Sequence, residues 1–205
     1  MILLFDLDHT ILDVEKFKKE KSKLFRLTPE ENEKHGFELF KKHGKGYNPY
    51  QHIKFLRDSN HIQTDKEAEI ITQQFNEAIK DTDKYLIDGA ENTLSYLKEK
   101  GYKMVLMTFG DLQMQKPKVD NSRIKKYFEK IIYSEKDKSE NEFLKELANS
   151  NEDVLIINDH AEQSLAMQKV IGPKAKIFLV KGPYAENTDH KETIHNNINE
   201  LKNIL

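Results

Sequence analysis

The chain begins with a short apolar run that ends in two carboxylates, and this feature constrains the fold more than any other. Residues 2–5 are Ile, Leu, Leu and Phe, without the alternation of a strand that has one face in water. Such a run predicts a strand covered on both faces, as in a parallel sheet. Asp6 and Asp8 follow where this strand would end. Because ligands bind outside the carboxyl ends of parallel strands, both acids are candidates for function, and a polar turn is the alternative.

Strands and helices alternate in the second part of the chain. Short apolar runs predict strands over 103–107, 131–133, 154–157 and 176–180, with helical patterns between them. A capping box, Ser139 to Glu142, predicts the start of one of these helices. With the first strand, the pattern predicts an α/β fold: a Rossmann-like parallel sheet of five strands flanked by helices.

Residues 13–82 form a different pattern, which predicts an all-helical insert after the first strand. Thr28-Pro29 and Asn48-Pro49 each place a capping residue before a proline, and Thr64 begins a further capping box. We therefore predict an α/β core of residues 1–12 and 83–205 and a helical domain of residues 13–82. Within its first helix, Lys21 falls on the same face as Val14, Phe17, Leu24 and Phe25.

The basic segment 16–23 of that helix is interpreted as a solvated face, with attraction of anionic substrates as the alternative. Lysine and arginine number 33 against 35 acidic residues, so the net charge of −2 does not indicate a nucleic-acid partner. The absence of cysteine excludes disulfides, thiolate metal sites and cysteine nucleophiles.

We expect a cytoplasmic protein with no membrane partner. No apolar stretch is long enough to span a bilayer, and Met1 to Phe5 lacks the features of a signal peptide. The oligomeric state stays open, with a monomer favoured.

Four predicted strand ends carry polar residues that suit phosphate chemistry. A carboxylate such as Asp6 can attack phosphorus and form an aspartyl-phosphate, and a second acid such as Asp8 can transfer protons. The hydroxyl of Thr108 can donate to a phosphoryl oxygen, and Lys138 can balance negative charge. Asp159 could hold Mg²⁺ together with Asp6.

Some of these assignments have competitors. Lys136 competes with Lys138, which we prefer because it directly precedes the predicted capping box at Ser139. Phe109 follows Thr108 on a loop at the sheet end and is assigned to the same phosphate site.

The run from Phe5 to Asp13, followed in order by Thr108, Lys138 and Asn158-Asp159, resembles the four motifs of the haloacid dehalogenase (HAD) superfamily. Most members of that superfamily are phosphatases.

The resemblance implies that Asp6 is the nucleophile and Asp8 the general acid and base. It also implies that Thr108 and Lys138 position the phosphate, and that Asp6, Asp159 and the backbone carbonyl of Asp8 hold Mg²⁺. The helical insert matches the position of the C1-type cap, which closes over the site and selects the substrate.

Two positions depart from the family pattern. His9 stands where members often have glycine, and Gln163 stands where the last motif often has a second acid. Glu162 is one residue earlier, so its role is in doubt.

Three loops are further candidates. The segment from Lys41 to Asn48 is our candidate for substrate selection within the insert. Residues 109–111 and 182–184 either line the site or form turns.

The favoured function is Mg²⁺-dependent hydrolysis of a small phosphorylated metabolite through an aspartyl-phosphate. A phosphotransferase or mutase would use the same residues, and a non-catalytic protein that binds phosphorylated ligands is the alternative from another class. A dehalogenase is disfavoured because those members generally do not need the second aspartate of the first motif, which is present here as Asp8.

Overall fold

The computed structural model describes residues 1–43, 46–185 and 193–205, and its centre is a parallel sheet. Six strands have the order β3-β2-β1-β4-β5-β6. They are β1 (Ile2–Phe5), β2 (Lys103–Phe109), β3 (Lys130–Ser134), β4 (Val154–Asn158), β5 (Ala175–Val180) and β6 (Ile194–His195). The predicted α/β fold with a parallel sheet is confirmed.

The prediction of five strands was one short. Strand β6 consists of two residues that pair with Leu179 and Val180 of β5. A strand of two residues is too short to carry a pattern of hydrophobicity, so only its pairing with β5 defines it.

Strand β1 lies inside the sheet and pairs with β2 on one side and β4 on the other. Leu3, Leu4 and Phe5 are at most 1% exposed. The uniform apolar run at the start of the chain is therefore a strand covered on both faces, as predicted.

Eight α-helices accompany the sheet within the described residues. They are α1 (Val14–Leu24), α2 (Pro29–His43), α3 (Pro49–Asp58), α4 (Asp65–Lys80), α5 (Ala90–Glu99), α6 (Leu112–Asp120), α7 (Glu142–Asn149) and α8 (Ala161–Ile171). The predicted caps of the insert are confirmed. Asn48 accepts hydrogen bonds from the backbone of Tyr50 and Gln51, and Thr64 accepts one from Glu67.

The predicted capping box at Ser139 was wrong. Asn141 caps α7 by accepting from the backbone N–H of Phe143, and Asp137 caps the short 3-10 turn Lys138–Glu140. The hydroxyl of Ser139 donates to Asp137 instead of capping a helix. Asn and Asp side chains accept from the N–H two residues later, and here two such local bonds replace the capping box.

The chain divides into two compact units. The first contains the sheet and comprises residues 1–13, 86–109 and 123–205, and the second comprises residues 14–85 and 110–122. The second unit thus includes α6, which the sequence analysis assigned to the α/β core. Its contacts explain this: Asn48 donates to Gln113, and the Asn121 side chain donates to the carbonyl of Ile79.

No α-helix in the described part of the chain has both the length and the apolar composition needed to cross a membrane.

Replacing Gly89 by alanine should lower the free energy of unfolding by about 3 kcal/mol, because it combines backbone strain with a clash. Gly89 has φ +80°, and a Cβ there would lie 2.8 Å from the side chain of Asn199. That side chain bonds to Thr93 and to the carbonyl of Asp88, so it is not free to move. Gly101 has the same φ of +80° with nothing near its Cβ position, so Gly101→Ala should cost only about 1 kcal/mol. Equal losses in urea denaturation would contradict the clash.

Candidate active site

Asp6 is the first residue after β1, and its backbone and side chain are both held. Its backbone N–H donates to the carbonyl of Ile157 at the end of β4, over 2.9 Å. The residue is only 8% exposed. Its Oδ1 atom accepts a hydrogen bond from the ammonium of Lys138, while Oδ2 lies 3.5 Å from the hydroxyl of Thr10. One carboxylate oxygen is thus firmly engaged and the other only weakly.

Lys138 forms the buried ion pair with Asp6, and Lys136 does not take part in it. Lys138 is 2% exposed, in the 3-10 turn that follows β3. Lys136 is exposed, and its carbonyl accepts from the hydroxyl of Ser134. The structure therefore brings the preferred lysine to Asp6, although the capping box used to choose it is absent.

Asp159 adds a second buried carboxylate at this edge of the sheet. It follows β4, the neighbour of β1, and is 3% exposed. Its Oδ2 atom has no hydrogen-bond partner among the described residues. Burial, followed by the negative charge of Asp6, raises the pKa of Asp159 to about 8. The positive charge of Lys138 acts in the opposite direction and does not offset these two effects.

Thr108 lies on the other side of β1, near the end of β2. It is 1% exposed, and its hydroxyl oxygen has no hydrogen-bond partner among the described residues. A buried hydroxyl without a partner is costly, so this is a second polar atom at the sheet edge that a ligand could satisfy. Phe109, which was assigned to the same site, is the last residue of β2 and pairs in register with Ser134.

Asp8 and His9 continue the first motif in a tight turn. Asp8 is half-buried and forms an isolated backbone bridge with Leu12. His9 has φ +58°, and its N–H donates to the carbonyl of Leu12. This left-handed backbone favours glycine but admits histidine more readily than most residues, which explains how His9 can stand there.

The last motif uses its polar residues to hold the loop after β4. The Asn158 amide donates to the side chain of Gln163, and its oxygen accepts from the N–H of His160. Gln163, at the position of the expected acid, therefore contacts Asn158. Glu162 is exposed.

Sequence reasoning missed the part played by His160 and how closely the loop 181–185 approaches Asp159. A Cβ on Gly182 would lie 2.6 Å from both Cβ and Oδ2 of Asp159, so the backbone passes where only glycine fits. The ring of Tyr184 stacks on His160 at 4.9 Å and meets the ring of His9 edge-on at 6.3 Å. These contacts join residues that follow three different strands, β1, β4 and β5, so no local sequence pattern predicts them.

The segment proposed for substrate selection, Lys41 to Asn48, belongs to the second unit, and Gly44 and Lys45 within it lie outside the described residues. The Tyr47 hydroxyl bonds to His52 at 2.9 Å, and Asn48 caps α3.

The described residues contain no cluster of three or more His, Asp or Glu side chains arranged to hold a metal ion. The site instead offers the carboxylates of Asp6 and Asp159 together with backbone oxygen. Mg²⁺ commonly takes one or two protein carboxylates and completes its shell with water and substrate oxygens, so this donor set fits that ion.

Comparisons with known proteins agree with this architecture. The family model of haloacid dehalogenase-like hydrolases matches residues 3–171. A structure from Burkholderia xenovorans described as a haloacid dehalogenase-like hydrolase is 18% identical, with 99% of this chain and 95% of that chain covered and a TM-score of 0.75. No curated protein matches the sequence significantly.

Two other similar structures have more specific descriptions. The hydrolase YfnB from Bacillus subtilis, described as bound to magnesium, is 19% identical, with 100% of this chain and 97% of that chain covered and a TM-score of 0.63. A β-phosphoglucomutase from Thermotoga maritima is 16% identical, with 99% and 97% covered and a TM-score of 0.60. Further matches are described as dehalogenases and a phosphatase, so these likenesses show the fold and leave the reaction open.

Replacing Asp159 by asparagine should stabilise the metal-free protein, and more at pH 8 than at pH 5. The pKa of this carboxyl is about 8 in the folded chain against an ordinary 3.8, so its cost to the folded state grows as pH rises through that interval. We expect the gain in unfolding free energy to be about 2 kcal/mol larger at pH 8, measured by urea denaturation with chelator present. Asp153→Asn, at an exposed aspartate just before β4, is the control. A gain that is the same at both pH values would contradict the assigned cause.

Proposed function

We propose that this chain, which belongs to the haloacid dehalogenase-like hydrolase family, hydrolyses the phosphate monoester of a small metabolite with Mg²⁺ as cofactor. The observation that carries the proposal is the buried group formed by Asp6, Lys138 and Asp159 at one edge of the sheet. It contains a nucleophile, a cation and a second carboxylate whose Oδ2 atom has no hydrogen-bond partner among the described residues.

Asp6 is the proposed nucleophile because its two oxygens differ in their contacts. Oδ1 accepts from the ammonium of Lys138, which holds the carboxylate in one orientation. Oδ2 has only the 3.5 Å contact with Thr10 in the described chain and is the oxygen left to attack. Its attack on phosphorus forms an aspartyl-phosphate and expels the alcohol oxygen of the substrate.

Asp8 is the proposed proton carrier. In the first step it donates a proton to the departing oxygen, and in the second it removes a proton from the water that attacks the aspartyl-phosphate. That second attack releases inorganic phosphate and regenerates Asp6. The hydroxyl of Thr108 and the ammonium of Lys138 donate to the phosphoryl oxygens, where negative charge accumulates.

The charge of the site supports a divalent cation. Asp6 and Asp159 would hold Mg²⁺ through their side chains and Asp8 through its backbone carbonyl, and the partnerless Oδ2 of Asp159 would gain a ligand bond. When bound, Mg²⁺ supplies positive charge against the phosphoryl oxygens. Lys138 alone cannot balance the carboxylates, since the charge of Asp6 still raises the pKa of Asp159.

Phosphate release from an aryl phosphate tests the mechanism. We expect activity that requires Mg²⁺ and that falls at least about a thousandfold in Asp6→Asn, because asparagine cannot form the acyl-phosphate. Asp8→Asn should cost about a hundredfold or more, as expected for loss of a proton carrier.

The two lysines of the third motif provide a matched pair for the same assay. Lys138→Met should abolish activity, while Lys136→Met, at an exposed side chain, should leave it unchanged. Equal phosphate release by the native chain and Asp6→Asn would refute covalent catalysis. Transfer of phosphate to an added alcohol without release would assign the chain to the phosphotransferases.

Gly182→Ala should weaken Mg²⁺ binding without removing any ligand. The added methyl group would lie 2.6 Å from the Asp159 carboxylate and displace it. We expect the Mg²⁺ concentration for half-maximal activity to rise about tenfold, equivalent to about 1.4 kcal/mol. Gly36→Ala makes the same chemical change with its nearest atom at 3.7 Å and should leave the Mg²⁺ dependence unchanged. If both variants behave like the native chain, the close approach of Gly182 does not position Asp159.

A further inference from the structure

Tyr184 is an exposed aromatic residue in the loop that follows β5, in the unit that contains the sheet and the candidate active site. Its ring lies 4.9 Å from the ring of His160, and the two ring planes are only 16° apart. The same ring meets the ring of His9 at 6.3 Å, nearly at a right angle. Because Tyr184 is 47% exposed, His160 covers one face of its ring while much of the residue stays open to solvent.

The two histidines that Tyr184 contacts each follow a carboxylate of the site. His9 comes directly after Asp8, and His160 comes directly after Asp159. Consecutive Cα atoms are about 3.8 Å apart, so the backbone that carries each imidazole also carries one of these carboxylates close by. The ring of Tyr184 therefore lies beside the proposed proton carrier and beside the proposed metal ligand.

The turn that carries Tyr184 is held on both sides. The Lys181 N–H donates to the carbonyl of His195 over 2.7 Å, and the Ala185 N–H donates to the carbonyl of Gly182 over 3.3 Å. Ala185 is buried in a small apolar cluster with one residue of α8 and one of β5. An exposed ring on a turn fixed in this way loses little conformational freedom when it binds a ligand.

The imidazole beneath Tyr184 is fixed as well. Nδ1 of His160 accepts from the backbone N–H of Gln163 at 3.4 Å, which places the ring proton on Nε2. The backbone N–H of His160 donates to the side chain of Asn158, whose amide donates to the side chain of Gln163. These three residues close a cycle of hydrogen bonds. Gln163, which stands where the family often has a second acid, thus helps to orient the imidazole on which Tyr184 stacks.

We propose that the ring pair of Tyr184 and His160 binds the leaving group of the substrate, and that this group carries an aromatic ring. Such a ring would stack on the open surface of Tyr184 with the offset or edge-on geometry that aromatic pairs prefer. Assigning it to the leaving group rests on the proposed function, in which Asp8 donates the proton to the departing oxygen. The stacking of an aromatic ring on Tyr184 does not rest on that function.

Binding of two phosphonates tests the ring pair without any turnover. (2-Phenylethyl)phosphonate and (2-cyclohexylethyl)phosphonate have the same length and charge, and their carbon–phosphorus bonds resist hydrolysis. They differ in having a planar aromatic ring or a puckered aliphatic one. Calorimetry with Mg²⁺ present should show that the native chain binds the phenyl compound at least about fivefold more tightly, as expected for an added aromatic pair.

Three variants locate this preference at Tyr184. Tyr184→Leu keeps an apolar side chain without the ring, so the two phosphonates should bind equally. Tyr184→Phe keeps the ring and should keep the preference. Tyr96→Leu makes the same change at a half-buried tyrosine of α5 and should also keep it. Equal affinities in the native chain, no binding of either compound, or a preference that survives in Tyr184→Leu would overturn the proposal.

Nuclear magnetic resonance of protein with ¹³C-labelled tyrosine rings shows where the ligand ring lies. The Tyr184 signal is assigned by its absence in Tyr184→Phe. We expect the phenyl compound to move this signal upfield and saturably, because the ring of Tyr184 would lie within the ring current of the ligand. The cyclohexyl compound has no ring current and should move it much less. An unchanged Tyr184 signal at saturation would place the ligand ring elsewhere and refute the stacking.

Phosphate release separates the ring pair from the proposed function. Benzyl phosphate and cyclohexylmethyl phosphate release alcohols of the same size and similar acidity, so a difference in kcat/KM reports binding of the ring. We expect the benzyl ester to be preferred at least about fivefold, and Tyr184→Leu to lose this preference. Release from both esters at equal kcat/KM would overturn the ring site and leave the proposed function standing. Selective phosphonate binding without phosphate release from either ester would retain the ring site and contradict the proposed function.

Discussion

The pairing of β1 with a strand on each side places the candidate active site. From β1 the chain crosses to β2 and β3 on one side and later returns to β4 on the other, so the direction of the strand order reverses beside β1. At such a switch point the loops leave in opposite directions and open a crevice at the carboxyl ends. Asp6 follows β1 and Asp159 follows β4, the two strands that border this crevice. The hydrogen bond from the Asp6 N–H to the Ile157 carbonyl connects the ends of these two strands. The register of β1, which pairs Phe5 with Leu106 of β2 and with Ile157 of β4, therefore also fixes where Asp6 lies relative to the end of β4.

The charges at this edge are better explained by chemistry than by stability. A buried ion pair serves folding best when each charge has one partner, as Asp6 and Lys138 do. Asp159 adds a second carboxylate to that pair, and its pKa of about 8 in the isolated chain reflects the unfavourable burial. The hydroxyl of Thr108 adds a buried oxygen without a described partner. A raised pKa and buried oxygens without partners are typical of a site that a ligand completes.

The sequence predicted the parts of the structure that depend on local chemistry. Apolar runs located five strands, and the caps at Asn48 and Thr64 located helices, because both signals act within a few residues. The sequence did not predict features that depend on contacts between distant segments. Two-residue β6 exists only through β5, and α6 joins the second unit through contacts such as that of Asn48 with Gln113. In the site, strand ends identified Asp6 and Asp159, but the close approach of Gly182 and the stacking of Tyr184 on His160 depend on tertiary packing.

The two units use buried lysine in different ways, and the contrast lies in what each ammonium faces. Lys138 faces the carboxylate of Asp6, and that carboxylate balances its charge. Lys21 lies over an aromatic ring, which attracts the charge but does not replace the directional acceptors that its three N–H donors would find in water. Its place beside Phe17 on the apolar face of α1 was visible in the sequence, where a lysine between hydrophobic positions would ordinarily extend its ammonium to solvent. Here the ammonium stays buried over the Tyr47 ring, and burial lowers the pKa of Lys21 to about 7, so the folded state binds this proton less tightly than water would.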